Sequence, residues 1–298
     1  MTRAAECAHA SPLVHPGPRA AHRRTSVPVR SRAVFLSLPP GRRLIDALDS
    51  ALVDLGVTSA QVELLDGTFS RLSYCYPAPP GDRPAAVWFS DTVEARVPAR
   101  LLAGSMTVGT RAGERYFHCH AAWVDAAGEL RGGHVWPETV VGPGSLHVLI
   151  HALDGVDSRS AVDPETTLPV FTPHALAPTR PDAGDARRAV MSRLHPGVDV
   201  TAAITEIAAE HGFAEASVSG SVGSLVGVVL QGPDGSVVVE GPATEVSFAG
   251  VVPAPGKGSP TVSVVAVDSQ AQVHTGLLVP GENLVAVTVE LLVEEVVG

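Results

Sequence analysis

The chain has 298 residues, a formal net charge of −10 and a single lysine, Lys257, against 20 arginines. An acidic chain of this length can bury one large core or two of ordinary size, and it lacks the clustered cationic surface that neutralises phosphates, which argues against nucleic acid as a partner. Cys7, Cys75 and Cys119 lie far apart with no CxxC spacing, pointing to a reducing, cytoplasmic setting, and no apolar run reaches the roughly 18 residues that a membrane span needs.

Residues 1–30 are rich in Pro, Ala and Arg and carry no apolar stretch, so a disordered tail is expected there rather than an export signal. The segment 31–171 opens with LPPGRRLIDALDSALVDLGV, in which Leu44, Ile45, Leu48, Leu52 and Leu55 recur at helical spacing and Gly56 supplies a stop. A β-branched alternating stretch follows, then further strand-like runs. Residues 172–188, again rich in Pro and Arg, read as a linker. The segment 189–298 repeats the pattern: Ile204, Ile207 and Ala208 share one helical face, Gly212 is the stop, and Val-rich alternating runs close the unit. Gly56 and Gly212 are 156 residues apart, as are Gly67 and Gly223, the mark of an internal repeat. The pattern predicts an α+β fold of two tandem units, each a mostly antiparallel β-sheet packed with one main helix.

The chemistry concentrates in FHCHAAWVDAAGELRGGHVW, residues 117–136. In a strand, His118 and His120 point to one face and Cys119 to the other. A two-residue hairpin at Ala126-Ala127 sets His120 opposite Gly133, and a one-residue bulge at Gly132-Gly133 brings His134 onto the same face. Three neutral imidazoles with a fourth position left open are what catalytic zinc sites use. A polar sheet face carrying unrelated histidines stands beside that reading.

The order PGRRLIDAL, DGTFSRLSY, VEA, HCHAAWVDAAGELRGGHV resembles the plant-and-prokaryote-conserved (PPC) domain family, also found in plant AT-hook proteins. The resemblance covers about 31–171 and, more weakly, 189–296. It implies a three-histidine metal site at His118, His120 and His134 and assembly as homo-oligomers, trimers in the family. Glu94 lies in the family's Glu-bearing strand, where it would orient a ligand histidine, with Glu245 as its counterpart in the second unit. Aligning DSQAQVHTGLL on DAAGELRGGHV places Thr261, Ser263 and Leu277 at the three ligand positions, so the second unit is expected to hold no metal.

Two functions follow. The first is a metal-dependent enzyme, with Zn2+ as the favoured ion, performing hydrolysis, hydration or lyase chemistry on a small oxygenated or carboxylated substrate. In it Glu138 and His147 act as catalytic acid or base, and Arg111 and Arg115 clamp a substrate carboxylate. The alternative is a regulatory or DNA-associated scaffold of the PPC type.

Overall fold

The computed structural model describes residues 11–179, 185–232, 235–254 and 256–296. Both helices form where the spacing predicts them. α1 (Leu44–Leu55) buries Leu44, Ile45, Leu48 and Leu52 and ends at Gly56, whose φ of 71° turns its N–H back onto the last turn of the helix. α2 (Val200–Glu210) starts at Asp199, whose carboxylate accepts from the Ala202 N–H at 2.9 Å, and it buries Ile204, Ile207 and Ala208.

The strands of the first half are β1 (Arg24–Leu38), β2 (Ser59–Arg71), β3 (Ser73–Cys75), β4 (Pro77–Ala78), β5 (Trp88–Phe89), β6 (Val93–Glu94), β7 (Ala99–Arg111), β8 (Glu114–Val124), β9 (Leu130–Val135), β10 (Val140–Asp154), β11 (Val156–Val162) and β12 (Pro169–Ala175). Those of the second are β13 (Arg187–Leu194), β14 (Ala216–Leu225), β15 (Val228–Gly232), β16 (Gly235–Val239), β17 (Thr244–Val252), β18 (Thr261–Val267), β19 (Val273–Leu277) and β20 (Val285–Glu295).

Pairing between the long strands is antiparallel, and it follows one pattern twice. Outward from β1 the order is β10, β2, β7, β8, β9; outward from β13 it is β20, β14, β17, β18, β19. The two series join where β1 runs antiparallel to β13, from Arg24 opposite Leu194 to Ser31 opposite Arg187. Each helix lies over its own half of the sheet and has its own apolar core, with Leu48, Phe69, Met106 and Trp123 in the first and Ile204, Phe248, Val264 and Leu291 in the second.

Two boundaries differ from the sequence reading. The expected tail is ordered over its described part: the His15 ring donates to the Ala286 carbonyl (2.8 Å), the Gly17 N–H to that of Glu165 (3.0 Å), and Arg23 grips both Glu165 carboxylate oxygens at 2.7 and 3.0 Å. A polar stretch with no core of its own is held here by the body it crosses, and β1 begins within it. The expected linker is partly strand, since β12 runs to Ala175 and β13 starts at Arg187. Cys75 and Cys119 are buried free thiols, and Cys7 lies outside the described residues.

Between the halves sits a buried polar group. His151 on β10 donates to Glu63 on β2 at 2.9 Å and meets Glu294 on β20 at 3.1 Å, and the Ser31 hydroxyl donates to Glu294 at 2.6 Å. Burial works against charge on the imidazole, but the carboxylates of Glu294 and Glu63 outweigh it and raise His151 to about 9. A folded value above the ordinary 6.5 means stabilisation that is complete below about pH 6.5 and lost as the pH climbs through 9. Thermal melts between pH 6 and 9.5 should therefore show a loss on the order of 2 kcal/mol that His151→Gln flattens.

Candidate functional site

The histidines converge by a different local route from the one predicted. The β8–β9 turn holds three residues, not two: Asp125 and Glu129 close it through an N–H to carbonyl bond of 3.0 Å, and Gly128 takes the left-handed conformation (φ 81°). The added residue shifts the register by one, so His134 stands directly opposite His120 and no bulge occurs at Gly132-Gly133. Those glycines serve close packing instead. A Cβ on Gly133 would run into the Cys75 carbonyl of β3, and one on Gly132 into Val267 and Val273 of the second half.

His120 Nε2 lies 3.1 Å from His118 Nε2 and 3.3 Å from His134 Nδ1. Donors each about 2.0–2.1 Å from a tetrahedral ion stand about 3.3–3.4 Å apart, so the spacing matches a shared cation. Protonation strengthens the match. His118 Nδ1 engages Glu290 at 2.5 Å, and His120 Nδ1 can only donate to the Val246 carbonyl, at 3.3 Å. With both Nδ1 atoms committed as donors, the two Nε2 lone pairs face one another, an arrangement that a cation relieves. Burial first, then the neighbouring imidazoles, hold His120 and His134 well below the ordinary histidine range, which keeps them neutral as ligands must be.

The second half completes the surroundings with two carboxyl groups. Glu290 on β20 and Glu245 on β17 are 0% and 3% exposed. Burial pushes the Glu245 carboxyl well above the ordinary range, and Glu245 Oε1 lies 3.9 Å from His120 Nε2. A cavity of about 70 Å³ opens beside the imidazoles, walled by Trp88, Phe89, Phe171 and Val287 and edged by Arg111.

The other residues singled out from the sequence, Arg111 apart, fall elsewhere. Arg111 does reach the cavity, stacked 3.6 Å over the Tyr116 ring. Arg115 is tied to Asp49 at 2.9 Å and to the Thr58 carbonyl, on the α1 side of the sheet. Glu94 is exposed, bound to Arg71 (3.0 Å) and Ser73 (2.5 Å), and orients no histidine; that place belongs to Glu290. Glu138 is exposed in a separate cleft with Glu94 and Trp136, and His147 bonds Ser37 at 2.9 Å and stacks on Phe35. Glu245 is not the counterpart of Glu94 either. The turns at Asp125 and Asp268 are built alike, and the residues before them pair with Arg100 and Glu245 respectively. The same register pairs Ser263 with Leu277 as His120 pairs with His134. A signal for Glu290 was present, an acid at the centre of the apolar run VAVTVELLV, where a buried carboxylate needs a partner.

The model of the Plants and Prokaryotes Conserved (PCC) domain matches residues 181–297. The chain thus resembles the PPC domain family. The match falls on the half that lacks the three histidines. Among solved structures the chain is similar to a plant- and prokaryote-conserved protein of Pyrococcus horikoshii (17% identity, 50% of this chain and 97% of that one, TM-score 0.41). It is also similar to a candidate DNA-binding protein of Ralstonia eutropha (20%, 46% and 88%, 0.39) and to a metal-containing protein of Archaeoglobus fulgidus (20%, 47% and 92%, 0.39). No curated protein matches the chain. These findings correct the leading expectation. The matched family is the PCC domain, whose description names neither a zinc hydrolase or lyase nor a small-molecule substrate, while the solved structures bear the names of PPC, candidate DNA-binding and metal-containing proteins. The exclusion of nucleic acid, argued from net charge, is corrected on the same ground.

Because Gly133 has no room for a side chain, Gly133→Ala should destabilise the chain by about 1–3 kcal/mol and shift His134, read as a lowered denaturation midpoint.

Proposed function

We propose that the chain is a regulatory or DNA-associated scaffold of the PPC type, built from two units, 31–171 and 189–298, of which only the first keeps a divalent-cation site. The family match over 181–297 carries this reading, and the mirrored strand order extends it to the first half. The charge distribution shapes how such a scaffold works. Arg23 is committed to Glu165, and Arg24 reaches Glu206 and Glu210 at 3.4 and 2.5 Å, so these arm charges are neutralised within the chain. With a net charge of −10, association with DNA goes through contacts in a larger assembly more than through phosphate neutralisation. A cytoplasmic location and assembly into a homo-oligomer belong to the same reading. Sedimentation of the full chain with DNA-containing complexes from a native extract, with release by nuclease, supports it. A chain that stays in the supernatant and binds no duplex at about 50–200 mM salt overturns it.

Zn2+ is the ion proposed for His118, His120 and His134, since three imidazoles suit it and the nitrogen spacing matches its ligand shell. When bound, it supplies a fixed positive charge that ties β8 to β9. One ion per chain is expected by elemental analysis. His120→Ala should lose it while the far-ultraviolet circular dichroism of the two large cores is kept; two ions per chain, or none after growth with added zinc, refutes the site.

A further inference from the structure

The first half's histidines end in a space that the second half closes with Glu245. This carboxyl is 3% exposed, and neither of its oxygens has a hydrogen-bond partner of normal geometry. A carboxylate taken out of water without a partner is costly unless a positive charge is supplied to it. Oε1 lies 3.9 Å from His120 Nε2, beyond the separation of two ligands on one tetrahedral ion and outside the three-histidine cluster itself, so the side chain must swing inward to join it. Glu245 also stands where the first half carries Arg100, and the second half carries Thr261, Ser263 and Leu277 where the first has histidines. Neither half holds a full set of donors.

Taking the proposed cation at the three histidines as its premise, we infer that Glu245 is the fourth ligand, so that the ion sits in a closed three-histidine, one-carboxylate shell shared by the two halves of the chain. Glu290 belongs to the same design as a positioning residue. Its Oε2 holds His118 Nδ1 at 2.5 Å, which fixes the ring with Nε2 facing the ion. Both carboxylates come from the second half and all three imidazoles from the first, so binding the ion also fastens β8 and β9 to β17 and β20. Three neutral imidazoles and one carboxylate leave a net single positive charge on a divalent ion, with the second carboxylate, Glu290, one imidazole away. A filled fourth position marks a structural site, since catalytic zinc keeps that place open.

The test uses the full chain loaded with Co2+ in place of zinc, whose visible spectrum reports coordination, and azide as a probe of an open position. In the wild-type chain the spectrum should stay unchanged in millimolar azide. In Glu245→Ala it should shift with azide, and the affinity for Zn2+ should fall by about 10–100-fold or more. Glu245→Gln, which keeps the size of the side chain, guards against loss of fold in the alanine variant and should weaken Zn2+ in the same direction. Azide shifting the wild-type spectrum, or both variants binding Zn2+ as the wild type does, overturns the fourth ligand while leaving the histidine site in place. Failure of the wild-type chain to take up Co2+ or Zn2+ at all removes the premise instead, and the two failures are told apart by whether His120→Ala changes metal content.

Discussion

The eight-residue antiparallel ladder between β1 and β13 is the contact on which the architecture turns. Each half would otherwise end in a strand with a free row of N–H and C=O groups, an edge that soluble proteins must cover. Pairing the two edges removes both at once and makes a continuous sheet of two equivalent series. It also fixes where every later strand stands. β20 lies beside β13 and β10 beside β1, and the sheet curls over so that β14 packs on β2 and β7, which carries the buried His151 of β10 and Glu294 of β20 into contact.

The histidine cluster depends on the same joint. His118 and Glu290 are 172 residues apart in sequence, and the curvature that lets β14 pack on β2 and β7 brings them within hydrogen-bond range. The two series are equivalent in order and unlike in chemistry. Histidines occupy the hairpin of the first, acids the facing strands of the second, and each set points into the seam. A repeat whose copies were interchangeable would have had two modest clusters; this one has gathered its donors into a single place.

Much of this was legible in the residues. Helical spacing with Gly56 as a stop defined α1, and Val-rich alternation defined the sheet. The His-x-His and Gly-Gly-His pairing identified one face of one hairpin, and the resemblance to the PPC family followed from the same motif. Register was less legible, because a turn of three residues and a turn of two followed by a bulge bring the same histidines together, and DAAGEL is compatible with both. The facing carboxylates were hidden for a different reason. Glu94 looked like the counterpart of Glu245 because each is an acid in a short strand-like run, whereas the ladder sets Arg100 there. Contacts made across the seam leave no pattern that names the partner, so an acid inside an apolar run marks Glu290 as buried without showing that His118 faces it. Net charge misled in its own way, as a sum over the whole chain says nothing about how charge is distributed over its surface or which contacts a larger assembly supplies.

The seam also sets the pace at which the molecule can be assembled. β1 is the first strand of the ladder in chain order, yet its partners come late: Arg30 waits for Asp154 on one side, and Arg24 for Leu194 on the other. Closing loops of well over a hundred residues must precede any reward from those hydrogen bonds, and topologies of this kind fold slowly. During that interval the apolar residues of β1, Val27 and Val29 among them, have no sheet to lie in, and a nascent chain presents them to whatever is near. A long first strand with distant partners thus makes early synthesis the period when the protein is most exposed to mispairing, well before the histidine cluster can exist.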